Sequence, residues 1–344
     1  MNPVRDENRS AGADRVAGGG PAALRARLGF LHIPKAAGTS VHAALLDAYG
    51  EDGVSPLRFD DRFFGAFTEW HTMAPGVRDS VFHPDGPTRA TDRAARAFSG
   101  HITYRSLVAL VEPTVILTVL REPRSRLLSH HAYLVSVPDA VYAGFGTYDA
   151  YRPAFAGLTD FLSDPVTAHQ TDNLQVRMLA DVELDPTRHL TDAERSEAAA
   201  AARRTLAGLG GTTFVEAPTF WRDVSSFVGI TTPEPRENVT SGSTGTRRFR
   251  ESPLTVEAVA LLDRRTAADR VVYLEAVATA LGIEADAAAA FADRVFAEQA
   301  ERYERLVGTP ARPPVTPVRP PVGPAARARA RLVGLARRGR RLLG

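Results

Sequence analysis

Seven consecutive residues, Thr114 to Leu120, are all β-branched or leucine, and Pro123 stands three positions further on at the head of a helical pattern. A run with no polar side to show to water reads as a strand buried on both faces. Proline, in turn, suits the first position of the helix that follows. The same grammar recurs twice. Leu28 to Ile33 reads as a strand, the turn Pro34 to Gly38 follows, and Thr39 to Tyr49 forms an amphipathic helix; Thr212 to Val215 precedes a helix from Pro218 to Val228. Strands that alternate with helices predict an α/β fold, a single domain with a central parallel sheet flanked by helices. Thr191 and Glu194 have the spacing of a capping box that opens an alanine-rich helix to about Ala207. The stretch from Pro253 to about Leu306 reads as helical with a break near Gly282, whereas 51–95 is loop-rich and gives no firm element.

An apolar content of 44% over 344 residues is enough to bury a large core. The expected organisation is a disordered segment over 1–27, one domain over 28–308, a proline-rich linker over 309–324 and an arginine-rich, helix-compatible tail over 325–344. There is no cysteine, which excludes disulfides and thiolate metal sites and points to a reducing cytoplasm. The longest apolar stretch, Leu107 to Leu120, is interrupted by Glu112-Pro113 and is too short to span a bilayer. Charge is unevenly placed: 309–344 holds nine arginines and no acid, so of the net +2 the first 308 residues carry −7. Composition favours a solvated basic tail, and an anionic membrane surface or an acidic partner is the alternative. No specific nucleic-acid binding is expected.

Lys35 is the only lysine; the other 41 of 42 lysine and arginine side chains are arginine. Where only positive charge is needed, such a chain uses arginine, so Lys35 reads as a position that requires a compact ammonium on a flexible stem. It lies in the turn His32-Ile33-Pro34-Lys35-Ala36-Ala37-Gly38-Thr39-Ser40 between strand and helix. Strand, glycine-containing turn and helix start is how backbone N–H groups gather around an oxyanion. Gly38 is expected to let the backbone approach the anion, with Thr39 and Ser40 donating hydroxyls. The order differs from a Walker A loop, in which lysine follows glycine. An ordinary turn capped by Thr39 is the plain alternative.

A second junction carries Arg121 at the end of the strongest strand and Ser129 two turns into the next helix. An arginine fork and a hydroxyl aimed at one crevice suit a phosphate, and two such sites at the carboxyl ends of strands describe a nucleotide with separate 5′ and 3′ phosphates. Arg124 and Arg126 read as a solvated helix face.

These two motifs resemble those of the sulfotransferases that use 3′-phosphoadenosine 5′-phosphosulfate (PAPS), of the family 2 type. His32 to Ser40 is similar to their 5′-phosphosulfate loop, including Lys35, Ala37, Gly38, Thr39 and Ser40, and Arg121 with Ser129 is similar to their 3′-phosphate pair. Asp172 to Asp181 and Thr213 to Phe227 resemble segments of the heparan sulfate 6-O-sulfotransferases and their bacterial relatives, in the same order. The resemblance covers about 28–305. It implies a sulfotransferase fold with P-loop-like anion binding, PAPS as sulfuryl donor, adenosine 3′,5′-bisphosphate as product, a hydroxyl-bearing small molecule or glycan as acceptor, and no metal.

By the same resemblance, Ser99-Gly100-His101 supplies the general base in His101, and Lys35 neutralises charge on the leaving phosphate oxygen. Imidazole suits the first role because it is largely neutral at pH 7. Arg247 and Arg248 match a late basic loop over the 3′-phosphate, with a solvated loop as the equal alternative. Trp70, His71, Tyr133, Asn173 and Arg177 are the weaker acceptor contacts, each with a core, rim or helix role beside it. The remaining histidines read as satisfied or exposed, and none has a metal-ligand spacing. Heparan-modifying members are membrane-anchored and contain cysteine, so heparan itself is not the expected acceptor. Two other classes remain: a nucleotide-dependent kinase with an atypical phosphate loop, and a non-catalytic nucleotide-binding protein recruited through its tail.

Overall fold

The computed structural model describes residues 27–63, 73–83, 92, 94–231 and 254–307. Six strands form one all-parallel sheet in the order β3-β2-β4-β1-β5-β6. They are β1 (Leu28–Leu31), β2 (Arg58–Asp60), β3 (Val81–Phe82), β4 (Ala97–His101), β5 (Ile116–Leu120) and β6 (Gly211–Phe214). Leu31, the last residue of β1, pairs with Gly100 on one side and with Thr118 on the other, so β4 runs on to His101 and β5 to Leu120 just beyond the end of β1. β1 is thus the middle of a three-strand edge at which the chain leaves in two directions, toward β2 through helix α1 (Gly38–Tyr49) and, from β5, toward β6. In open α/β sheets a crevice of this kind, at the carboxyl ends of the strands where direction reverses, is where ligands bind.

All five residues of β5 and all four of β1 are buried, as strands covered on both faces must be. Each fully buried Ile, Leu or Val contributes about 1.5–3 kcal/mol. The predicted start at Thr114 is corrected: Pro113–Val115 forms a 3-10 turn, and the strand begins at Ile116. The region that gave no firm element, 51–95, contains β2 and β3 with helix α2 (Pro75–Arg78) between them; helix α3 (Tyr104–Leu107) follows β4.

Helix α4 (Pro123–Ser136) starts as its sequence dictates: Pro123 occupies the first turn and the Glu122 carboxylate accepts from Ser125 N–H at 2.7 Å. The chain then forms short helices α5 (Asp139–Phe145), α6 (Arg152–Ala156), α7 (Leu158–Ser163), α8 (Ala168–Thr171) and α9 (Leu174–Leu179). Helix α10 (Asp192–Gly208) has the expected capping box, with Thr191 and Glu194 bonding reciprocally. Helix α11 (Phe220–Val228) follows β6, and α12 (Val256–Arg265), α13 (Ala267–Leu281) and α14 (Ala285–Val307) complete the described chain. The break at Gly282 is present, left-handed with φ 63°, and a second break lies at Thr266.

Two hydrophobic clusters result. One surrounds the sheet; the other joins Leu127, Leu128 and Val135 of α4 to Phe161, Leu262 and Tyr303. Arg124 and Arg126 are not solvated. Arg124 is buried against Glu122 (3.0 Å) and Asp293 (2.7 Å) and lies over the Phe296 ring, which ties α4 to α14. Arg126 is fully buried and donates to the Gln170 carbonyl at 3.1 Å. Among the described residues no helix is long and apolar enough to cross a membrane.

Candidate active site

The turn after β1 has an unusual backbone. Lys35 and Ala37 are both left-handed, with φ of 67° and 54°. A side chain in that region costs about 1–2 kcal/mol, and residues held so against their preference cluster where a binding surface must be preorganised. Helix α1 starts at Gly38, immediately after the second of them, with Ser40 N–H bonded to the Ala37 carbonyl at 3.0 Å. Thr39 is exposed and Ser40 buried in its first turn.

Gly38 is also required by the packing beneath the turn. A Cβ added there would lie 1.6 Å from His32 Nε2. The glycine leaves room for the His32 ring, which props the turn from beneath. His32 is buried, stacks on Phe30 with centroids 5.3 Å apart, and meets the His101 ring at 4.3 Å. Burial, followed by the proximity of His101, holds its pKa well below the ordinary histidine value.

The turn is gripped from both sides. On the β4 side, His101 Nδ1 lies 2.9 Å from the His32 carbonyl oxygen. A carbonyl only accepts, so Nδ1 carries the proton and the lone pair of the neutral imidazole is on Nε2. Burial lowers the His101 pKa to about 4, and the His32 hydrogen bond works against that shift. On the β5 side, Arg121 Nη1 donates to the Lys35 carbonyl at 2.9 Å. Lys35, Arg121 and His101 therefore belong to one edge, at the ends of three adjacent strands.

The two cations are treated differently. Arg121 is fixed: Gln175 accepts from its backbone N–H (3.0 Å) and donates to its carbonyl (2.9 Å), Nη2 donates to Gln299 (3.3 Å), and the Glu216 carboxylate is 4.0 Å from Nε. Burial lowers its pKa, and Glu216 opposes this. Glu216 is itself held by Tyr273 O–H at 3.0 Å. Lys35 is half-buried and, among the described residues, has no carboxylate partner; its Nζ lies 4.4 Å from the centre of the Tyr133 ring. Burial, then Arg121, lowers its pKa to about 8.

Ser129 is buried two turns into α4. Asn173 and Arg177 are committed to the fold: the Asn173 side-chain oxygen accepts from Ala268 and Asp269 N–H, and Arg177 bonds Asp172 and the carbonyls of Asp185 and Arg188. Tyr133 is at the site, against Lys35 and not in the core. His131 is satisfied by the Ala154 carbonyl (2.9 Å) and Tyr303 (2.7 Å), and His83 by Asp61 (3.2 Å). Trp70, His71, Arg247 and Arg248 lie outside the described residues, as do 1–26 and 308–344. Sequence reading gave His32 and Glu216 no role of their own; their position beside Lys35 in the turn and at the end of β6 is the signal that marks them.

Beyond the carboxyl ends of β2 and β4 lies a cavity of about 280 Å³ lined by Thr103, Arg62, Arg105, His169 and Arg177. Thr103 is two residues past His101, and Phe59, just before Asp60, pairs with His101 in the sheet. Among the described residues no cluster of side chains is suited to a metal ion. No family model matches the chain, and no curated protein matches its sequence.

Proposed function

We propose that the protein is a sulfotransferase of the PAPS-dependent kind, with a sulfotransferase fold, acting on a hydroxyl of a carbohydrate or glycosylated acceptor. The observation that carries this reading is the pinched turn: the Lys35 and Arg121 junctions are joined by a 2.9 Å hydrogen bond, and His101 grips the other side of the same turn at 2.9 Å. A cation with no carboxylate partner among the described residues, a fixed guanidinium and a neutral imidazole at one sheet edge fit an anionic nucleotide facing a neutral nucleophile.

In this reading the turn and the start of α1 hold the 5′-phosphosulfate, with Thr39 and Ser40 as donors. Arg121 and Ser129 take the 3′-phosphate. His101 Nε2 accepts the proton of the acceptor hydroxyl as its oxygen forms a bond to sulfur; the bond between sulfur and the 5′-phosphate oxygen breaks, and adenosine 3′,5′-bisphosphate leaves with that electron pair. Lys35 stabilises charge on the departing oxygen. Bound phosphates also draw the pKa values of His101 and Lys35 back upward, since an anion favours the charged form of each. The cavity that Thr103 lines, two residues past His101, is the acceptor side in this reading.

The test is ³⁵S transfer from labelled PAPS to a panel of glycans and glycosides, run beside [γ-³²P]ATP with Mg²⁺. Label moving from PAPS, and not from ATP, supports the reading; phosphoryl transfer from ATP overturns it in favour of a kinase.

A further inference from the structure

Lys35 is a half-buried cation whose surroundings give it little reason to stay charged. Arg121 faces it from the end of β5, His32 from its own turn, His101 from β4 and His130 from α4; Arg121 lowers the Lys35 pKa, and Lys35 lowers those of the three histidines. None of these groups is an anion. Among the described residues, the one favourable contact is the ring of Tyr133, on α4 one turn past Ser129, with Nζ 4.4 Å from the ring centre. Tyr133 keeps 47% of its surface exposed, so packing alone does not account for an aromatic ring at this position. The side chain is half-exposed as a whole, yet desolvation of its phenol group raises that group's pKa, so it is neutral at pH 7 and meets the ammonium as a π face, not as a phenolate.

We propose that Tyr133 is a positioning residue whose ring face serves as the counter-group of Lys35, keeping the ammonium charged and placed at the mouth of the anion cradle. This rests on the reading of the turn as an oxyanion site. The physical point lies in the choice of an aromatic ring over a carboxylate. A carboxylate in contact with Lys35 would neutralise its field and would have to be displaced by every incoming phosphate or sulfate. A ring face stabilises a cation by about 0.5–2 kcal/mol, enough to favour the protonated form and little enough for an oxyanion to take over. Tyr133 so acts on the donor side of the reaction, through Lys35, in place of the acceptor contact its sequence suggested.

A chain with a single lysine makes this directly measurable, because protein labelled with ¹⁵N,¹³C-lysine gives one side-chain amine signal. The titration midpoint of that signal is followed in the nucleotide-free wild type and in Tyr133→Phe, Tyr133→Leu and a variant with pentafluorophenylalanine at 133, which has nearly the shape of phenylalanine and an inverted quadrupole. The wild type is expected to titrate near 8, the value set by its surroundings. Tyr133→Phe keeps that midpoint, while the leucine and pentafluoro variants lower it by about half a unit or more, as loss of a cation–π contact requires. A midpoint unchanged or raised in both of the latter overturns the proposal; a raised one means that the ring only excludes water. Tyr133→Phe behaving like leucine overturns it as well, since the hydroxyl is then the active group. No nucleotide is present, so a negative result here is distinct from failure to bind adenosine 3′,5′-bisphosphate, which would sink the functional reading.

Discussion

The turn after β1 and the turn after β5 are both strand-to-helix junctions with a cation, yet they are built on opposite principles. The first is strained and electrostatically open: two non-glycine residues are left-handed, and the Lys35 ammonium rests on a ring. The second is relaxed and closed, with Glu122 capping the helix, Pro123 in its first turn, and Arg121 held through its backbone by Gln175 and through its side chain by Gln299 and Glu216. Arg121 is a fixed part of the wall; Lys35 is held ready. That division suits a reaction in which one phosphate only has to be recognised and another has to gain charge as a bond breaks.

Gly38→Ala attacks the first junction at its support and is expected to have the largest effect. Its Cβ requires the space of the His32 ring, so the turn cannot keep its shape, and a stability loss of about 3 kcal/mol in urea unfolding is expected, together with loss of nucleotide binding. Lys35→Ala leaves the fold intact and lowers ³⁵S transfer by roughly 100-fold or more. Lys35→Arg does not restore it, because a planar fork cannot replace a point charge at this turn. Both readouts are single-turnover rates.

Gln175→Leu tests the second junction. It leaves the Arg121 N–H and carbonyl without their partners and is expected to lower stability by about 2 kcal/mol, seen as a lower urea midpoint, while the Lys35 titration stays unchanged. The pH profile separates the two junctions further. Proton acceptance needs His101 neutral, so kcat/KM falls as pH drops toward about 4; charge stabilisation needs Lys35 protonated, so it falls again as pH rises through about 8. Lys35→Ala removes the alkaline limb and keeps the acid one. The smallest effect is that of Ala37→Gly, where relief of the left-handed penalty outweighs the added chain entropy and raises stability by about 0.5 kcal/mol.

What the sequence disclosed and what it hid follow from how each element is stabilised. β1, β5 and the start of α10 were legible because their signals are local: apolar runs buried on both faces and a cap three residues from its partner. β2 and β4 were not. Arg58 and Asp60 are buried polar residues in a strand of three, and Asp60 is satisfied by Thr103, which donates its N–H at 2.9 Å and its hydroxyl at 2.6 Å across the sheet. β4 reads Ala97-Phe98-Ser99-Gly100-His101, and Gly100 is required there because the Arg58 carbonyl oxygen lies 2.7 Å from where a Cβ would be. Arg124 misled for a related reason: besides the neighbouring Glu122, two of its carboxylate partners, Asp263 and Asp293, are 139 and 169 positions away. At the site, Lys35, Arg121 and His101 were visible as residues, but the tautomer of His101, the support of His32 and the ring beneath Lys35 depend on contacts that only the fold creates.

Calorimetry of adenosine 3′,5′-bisphosphate, set against ATP with Mg²⁺, tests the shared pocket most directly. The wild type should bind the bisphosphate more tightly than ATP, and Lys35→Ala and Arg121→Ala should each weaken it by about 10- to 100-fold, the worth of one charge-assisted contact. Tighter binding of ATP, or bisphosphate binding untouched by both substitutions, would contradict the account.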